Sequence, residues 1–264
     1  SYDGSSYQTA SVTDDESYGI GGTGNNTYTI SGTNATGSFS IFDTGGTDTL
    51  DFSGLSLSSV INLAGGATGP LSYIGSNVIT YDGGEYYSGL IIGIYYANSL
   101  ENVNAGSGND TITCNSSINI INCGSGNDTV WAVGAGDTAR GDAGNDYFYP
   151  ESYSINLIDG SAGEDYLAFK GSFIDVRNFS DAQLTSIEWI DIQWGTATIL
   201  KISKQFITDL EASVLLDIDS DGDNDAYVFI LADAALDQIQ VNNEGWAFLV
   251  NVGAWDYYYN DSGD

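Results

Sequence analysis

AGSGNDTIT at 105–113, CGSGNDTVW at 123–131, GDAGNDYFY at 141–149 and GSAGEDYLA at 160–168 decide the fold of this chain. Each fits one nine-residue pattern: two small residues, any, Gly, any, Asp, any, apolar, any. Six residues of turn followed by three of strand make the repeating unit of a parallel β-roll. The sixth position falls at Asp110, Asn119, Asp128, Asp137, Asp146, Ile155 and Asp165, with one extra residue entering before Gly160. Successive units alternate between the two edges of a roll, so one coil takes 18 residues, the step from Asp110 to Asp128. Asp110, Asp128, Asp146 and Asp165 therefore stack on one edge. Asn119, Asp137 and Ile155 stack on the other, which is expected to be a weak or empty cation edge.

Coordination chemistry gives the reason for Asp at this place. Ca2+ takes about 6–8 oxygens, mixing carboxylates with backbone carbonyls. Glycine lets the turn bend so that carbonyls point inward. Adjacent coils lie roughly 4.8 Å apart, so stacked carboxylates repel without a cation and become ligands with one. The free energy of binding is then also free energy of folding. An ordinary Gly/Asn/Asp turn array is the plain alternative, and four Asp in phase on one edge argue against it.

The bulk composition narrows the function. Lys and Arg number 5 against 36 Asp and Glu, a net charge of −31 over 264 residues. Such a surface repels phosphate backbones and anionic lipids, which disfavours nucleic acid and membrane partners. There is no His, so His-based general base chemistry and His-ligated zinc are excluded within this sequence. No apolar run is long enough to span a bilayer as a helix. The chain opens SYDGSSYQTA, which reads as a mature product or an internal fragment. Cys114 and Cys123 lie nine apart, on opposite edges, roughly 10 Å across a three-residue strand. That exceeds the ~7 Å limit between disulfide-linked Cα atoms, so two unpaired thiols are expected.

Outside the roll, TYTIS at 27–31 and SFSIF at 38–42 read as strands. GGTGNNTYT at 21–29 fits the nonapeptide, with Asn26 at position six, as a metal-free turn or a weak site. FIDVRNF at 173–179 and IEWIDIQW at 187–194 alternate as half-buried strands, with a helical turn in SDAQLTS between them. SKQFITDLEASV at 203–214 places Phe206, Ile207, Leu210 and Val214 on one helical face. YVFIL, IQV and WAFLVNV then read as strands. DIDSDGDND at 217–225 puts Asp217, Asp219, Asp221, Asp223 and Asp225 in the first nine positions of an EF-hand-type loop. Val228 stands at the twelfth position, where the bidentate Glu belongs, so a solvated acidic hairpin competes with a calcium site.

FDTGGTDTLDFSGLS at 42–56 and SLENVNAGSGNDTI at 99–112 are more distinctive than the nonapeptide. Together they resemble the C-terminal calcium-binding domain of the serralysin family, within the RTX group exported by type I secretion, over about residues 12–148. The resemblance implies one calcium held by Asp43, Gly45 and Asp48, and a second by Gly46, Asp48, Ser99 and Glu101. Within the roll it implies Gly106, Gly108 and Asp110 with Cys123, Ser125 and Asp128, then Gly124, Gly126 and Asp128 with Gly141, Ala143 and Asp146. A third roll site would use Asp142, Gly144, Asp146, Gly160, Ala162 and Asp165. Asp137 is a weaker candidate on the second edge. The sequence departs from serralysins between Gly66 and Ser99, where a Tyr-rich insertion carries an expected hairpin at Asp82-Gly83. The tail resembles modules of large RTX adhesins.

The expected molecule is all-β, with a right-handed parallel β-roll, flanking β-sandwich-like strands, and a β-rich C-terminal module with one short helix. Expected segments are 1–104, 105–168 and 169–264. The expected function is that of a non-catalytic, secreted or cell-surface calcium-binding structural protein, such as a surface-layer, adhesin or filament subunit. Its expected partners are calcium and copies of itself or a cell-surface glycan. The alternatives are the non-catalytic end of a serralysin-like protease or other RTX hydrolase, and a carbohydrate-binding module.

Overall fold

The computed structural model describes residues 17–20, 22–30, 37–63, 72–74, 78–81, 84–87, 90–94, 98–170, 173–192, 199–202, 227–231, 238–241, 247–249 and 256–259. The helix expected at 203–214 and the acidic loop at 217–225 lie outside them.

Two parallel stacks of short strands face each other. One holds Thr27–Thr29, Thr49–Asp51, Asn102–Asn104, Ile120–Asn122, Thr138–Arg140, Leu157–Asp159 and Leu184–Thr185, in that order. The other holds Ser59–Asn62, Thr111–Thr113, Thr129–Val133, Tyr147–Pro150, Tyr166–Ala168 and Trp189–Asp191. Thr111 pairs with Thr129 and Asn102 with Ile120, so within the nonapeptide repeats, up to the extra residue, neighbours in each stack are one 18-residue coil apart, while Thr49 with Asn102 and Val60 with Thr111 span the longer insertion. The alternation of edges read from the sequence is therefore the fold.

Three-residue strands have one inward position, and it is apolar. Leu50, Val103, Ile121, Ala139, Ile158 and Leu184 point inward from one stack. Ile61, Ile112, Val130, Phe148, Leu167 and Ile190 meet them from the other. Cys114 and Cys123 are buried in the same core as free thiols, as their positions on opposite edges require.

The second stack is part of a 13-stranded sheet that runs on past the roll at both ends. Ser72–Ile74 and Leu90–Ile94 extend it at one end, and Tyr227–Leu231 joins it at the other. The sheet passes the 104/105 and 168/169 positions without a break. Val78–Tyr81 and Gly84–Tyr87 pair antiparallel, with Tyr81 opposite Gly84, which leaves two residues for the expected hairpin turn. Asp181–Gln183 forms the expected helical turn, closed by a Ser180/Gln183 capping box. FIDVRNF is strand only over Phe173–Asp175; Val176–Asn178 turns into 3-10 helix, where Arg177 doubles back to its neighbour Asp175 at 2.7 Å.

One register assignment is corrected. Position six on the second edge is Asn156, not Ile155, because Asn156 and Leu157 both donate backbone N–H to the Asp137 carbonyl and Leu157 pairs with Thr138. The extra residue enters at the turn after Pro150. Its neighbour strand already carries a bulge, with the register shifting between Val130 and Val133 and Ala132 at φ 60°. Ile155 joins the buried core instead.

The turns close against each other through glycine. Gly144 has φ +141°, and a Cβ there would overlap the Gly126 carbonyl oxygen. Gly45 has φ +151° with open space around it. Gly144→Ala should therefore cost at least about 2 kcal/mol, from conformational strain and steric overlap, and Gly45→Ala about 1. Equilibrium denaturation of the two variants checks this, with equal losses arguing against the close stacking of turns.

Candidate metal centre

Each position-six carboxylate divides its two oxygens. One accepts the backbone N–H of the residue one coil earlier. Asp110 Oδ1 takes the Ser59 N–H at 2.6 Å, Asp128 Oδ1 that of Asp110 at 2.6 Å, and Asp146 Oδ1 that of Asp128 at 2.7 Å. Asp165 Oδ1 takes the Asp146 N–H at 2.8 Å. The inserted residue lies on the opposite edge, so Asp165 keeps its place in the ladder. The isolated bridges Ser125 with Ala143 and Ala143 with Ala162 hold these turns in the same register.

The second oxygen is the informative one. Oδ2 of Asp48, Asp128, Asp146 and Asp165 is buried and has no hydrogen-bond partner. The buried Ser99 hydroxyl is likewise unpartnered. A buried polar atom left unpaired costs about 1–3 kcal/mol, more when it carries charge, so such atoms point to a missing ligand. All five belong to the ligand sets expected from the sequence. Asp110 and Asp137 behave differently. Asp110 Oδ2 accepts the Gly106 N–H at 3.2 Å, and Asp137 uses its two oxygens on Asn119 N–H and Gly134 N–H, both at 2.7 Å. Asp137 thus accepts hydrogen bonds at both oxygens, and on the same edge the Asn119 amide donates to the Glu101 carbonyl and to Asn115 Oδ1, while Asp48 further upstream on that edge keeps its unpartnered oxygen.

Among the described residues no three acidic or cysteine side chains converge on one point. A cation here must draw most of its ligands from backbone carbonyls, which suits Ca2+ and disfavours Zn2+. The candidates are the carbonyls of the glycine-rich turns. Gly106, Gly124 and Asp142 carbonyls each accept one N–H from the next turn (Ser125, Ala143 and Ala162), and a carbonyl keeps a second lone pair. Ala143 and Ala162 carbonyls likewise accept from Gly126 and Gly144. The remaining turn positions expected as ligands, Gly108, Cys123, Gly126, Gly141, Gly144 and Gly160, sit in the same turns.

At the upstream end, Asp48 Oδ1 accepts the Asn26 N–H at 2.7 Å and Glu101 Oε2 accepts the Asp48 N–H at 2.7 Å. Asp48 and Glu101 are thus side by side, and a Cβ on Gly46 would lie 3.0 Å from Asp48 Oδ1. Asp43 accepts from Tyr28 OH at 2.6 Å and from the Gly45 N–H at 3.1 Å, and its charge lies close enough to Asp48 to add to the rise that burial imposes on that carboxyl. Asn26 is buried at position six of its turn, and turning its amide over lets the nitrogen donate to the Gly24 carbonyl and Asp43, the orientation its neighbours favour.

Sequence reading missed two features. Position five is not free: Asn109 Oδ1 accepts the Asn127 N–H, Asn127 Oδ1 that of Asn145, and Asn145 Oδ1 that of Glu164, at 2.9, 2.9 and 3.1 Å. The repeated Asn-Asp pair was the available signal. Glu188 also joins the ladder, accepting the Asp165 N–H at 2.9 Å. No glycine-rich turn precedes it, so the nonapeptide pattern does not reach it.

Burial pushes the Asp128 carboxyl up to about 8; the Asp110 N–H pulls it partly back, and the charges of Asp146, Asp110 and Asp142 add to the rise. Burial likewise raises Asp48 and Asp165 to about 7 and Asp146 to about 6. Glu101, Asp110, Asp137 and Glu188 are raised for the same first reason.

The model for the C-terminal region of M10 peptidases of the serralysin type matches residues 8–240. The chain belongs to the serralysin C-terminal family. The match runs well past residue 148, into the strands that extend the sheet beyond the roll. No curated protein is detectably similar to the chain.

The raised carboxyls give a pH dependence with a definite sign. From their ordinary value of 3.8 to the raised values of about 6–8, the folded chain holds protons that the unfolded chain has released. The metal-free fold should therefore lose stability as pH rises from about 4 to about 8. Excess Ca2+ should reverse the trend, since it needs the ionised ligands. Denaturation of metal-stripped protein at about pH 5 and pH 8, with and without Ca2+, checks this; a metal-free fold that strengthens with pH would contradict it.

Proposed function

We propose that this serralysin C-terminal domain is a secreted, non-catalytic structural element whose roll is locked by Ca2+. The observation that carries the reading is the row of buried, unpartnered carboxylate oxygens at Asp128, Asp146 and Asp165, with Asp48 upstream. β-roll domains of this family bind Ca2+, and the ligands available in this chain are hard oxygens. Without the ion, the folded chain must bury charge or take up protons. With it, each carboxylate bridges two coils: one oxygen holds the preceding coil by hydrogen bond and the other holds the ion. A chain of this kind stays weakly folded where Ca2+ is scarce, which suits export, and locks outside the cell where Ca2+ is plentiful.

A net charge of −31 is the right sign for such a switch. Bound cations lower the self-repulsion that opposes compaction. The described helical segments are short, and none is long and apolar enough to cross a membrane.

Within this reading the chain acts as a subunit of a surface layer, adhesin or extracellular filament, with copies of itself or a surface glycan as partner. The family match favours one second reading: the chain is the non-catalytic end of a type I secreted protease, and the roll serves secretion and folding of a catalytic part elsewhere. Circular dichroism and particle size followed together during a Ca2+ titration separate these. Growth into ordered assemblies supports the subunit reading, whereas a monomeric end point supports the secretion module. No spectral response to Ca2+ contradicts both.

Single carboxylate changes give a sharper test. Asp128→Asn keeps an oxygen for the Asp110 N–H but removes the charge shared by two roll sites. It should raise the Ca2+ midpoint of folding by about 10-fold or more, the effect of losing a charge-assisted contact of roughly 1.5–3 kcal/mol. Asp137→Asn, at a carboxylate already satisfied by two N–H groups, should leave that midpoint within about 2-fold. Equal shifts in the two variants would contradict the one-edged ladder.

A further inference from the structure

An arrangement near the upstream end of one edge of the roll recurs at the downstream end of the other edge. At the upstream end the Asp48 carbonyl accepts the N–H groups of both Glu101 and Asn102, at 3.1 and 2.9 Å, and Glu101 Oε2 accepts the Asp48 N–H. At the downstream end the Asp165 carbonyl accepts the N–H groups of both Glu188 and Trp189, at 3.1 and 2.9 Å, and Glu188 Oε2 accepts the Asp165 N–H. The sequences match. Ser99-Leu100-Glu101-Asn102-Val103-Asn104 has its counterpart in Ser186-Ile187-Glu188-Trp189-Ile190-Asp191. Leu100 and Ile187 are both fully buried, as are Val103 and Ile190. Asp48-Thr49-Leu50-Asp51-Phe52 corresponds to Asp165-Tyr166-Leu167-Ala168-Phe169.

The oxygens at the downstream end also repeat the roll. A Cβ placed on Gly141 would overlap Asp146 Oδ2 and lie 2.8 Å from the Gly160 carbonyl oxygen. One coil later, a Cβ placed on Gly160 would overlap both Asp165 Oδ2 and the Ser186 carbonyl oxygen. Ser186 therefore supplies, from a segment with no glycine-rich turn, the carbonyl that Gly160 supplies within the repeats. Ser186 reaches this place in a left-handed conformation, φ 52°, which a non-glycine residue adopts at a cost. Asp165 Oδ2 is fully buried with no partner, and Glu188 is itself more than nine-tenths buried beside it.

We infer that Asp165 Oδ2, the Ser186 carbonyl and the Glu188 carboxylate form a further Ca2+ site that caps the downstream end of the ladder. The site rests on the reading of the ladder as a cation ladder. It takes a hard divalent cation, because every donor is oxygen, and water completes the shell. Its structural consequence is that each edge of the roll carries one Asp–Glu pair: Asp48 with Glu101 on the edge that continues to Asn119, and Asp165 with Glu188 at the downstream end of the edge that runs from Asp110. The cap fastens the last nonapeptide to Trp189–Asp191, the strand from which the sheet continues to Tyr227–Leu231.

The test counts Ca2+ bound per folded full-length chain by native mass spectrometry. Glu188→Gln keeps an amide oxygen for the Asp165 N–H and removes the charge, while Glu164→Gln changes an exposed neighbour outside the ladder. Glu188→Gln should bind one ion fewer than the unsubstituted chain, and Glu164→Gln the same number. An unchanged count in Glu188→Gln overturns the cap and leaves the ladder standing; an unsubstituted chain that binds no Ca2+ overturns both. If Glu188→Gln does not fold, Tb3+ replaces Ca2+ in the folded unsubstituted chain. Its indole-sensitised emission should then contain a component that Trp189→Phe removes, and emission unchanged by Trp189→Phe overturns the cap.

Discussion

A buried carboxylate with one oxygen paired and one orphaned is the constraint on which this fold turns. The paired oxygen makes each coil a template for the next. Asp128 holds the Asp110 N–H, Asp146 that of Asp128, Asp165 that of Asp146. The orphaned oxygen makes the same coil costly unless something positive arrives. Neither neutral residues nor ordinary ion pairs would do both. An Asn in this place, as at Asn119, satisfies itself and its neighbours and asks for no ion. A Lys or Arg partner would need space that a stack at roughly 4.8 Å does not have. A small divalent cation, the partner proposed above, is a charge of the right sign and size for oxygens spaced by one coil.

That local rule explains the molecule's proportions. Each three-residue strand offers one inward apolar side chain, and the bulged Thr129–Val133 offers two, so the core is a thin double row rather than a thick centre. Stability in such a stack comes from nearest-neighbour contacts added along one axis. Ends are then weak points, and this chain treats them specially. Upstream, Asn26, Asp43 and Tyr28 close the first turns by hydrogen bonds around Asp48. Downstream, Glu188 takes over the position-six role from outside the repeats. The aromatic ladder Tyr147, Tyr166 and Trp189, stacked at 4.2 and 5.4 Å, runs alongside and ties the last coils together on the outer face.

Much of this was legible before any coordinates. The nine-residue phase fixed which Asp share an edge, the spacing of Cys114 and Cys123 kept them apart, and the pairing of Val78–Tyr81 with Gly84–Tyr87 flanks the hairpin expected at Asp82-Gly83, which lie outside the described residues. What escaped has physical reasons. The extra residue near Asn156 could not be placed from sequence because the turn after Pro150 is irregular and the compensating bulge sits on the neighbouring strand at Ala132. The Asn ladder at position five was hidden because Asn is common in any turn, and only its stacking reveals the bond. Glu188 was hidden because Ser186 does by a strained φ what glycine does elsewhere. Asp137 stood in the pattern as a weaker candidate, and only the structure shows that its second oxygen accepts the Gly134 N–H of its own turn. A motif names the residue type, and the hydrogen-bond inventory decides whether that residue has an oxygen left for a metal.

The most direct measurement is anomalous scattering from crystals grown in Ca2+, recorded where calcium contributes and sulfur can be subtracted. Peaks are expected beside Asp128, Asp146 and Asp165 Oδ2 and at Asp48, with none at Asp137. Water or nothing at those orphaned oxygens, with the roll still folded, would contradict a calcium-locked ladder.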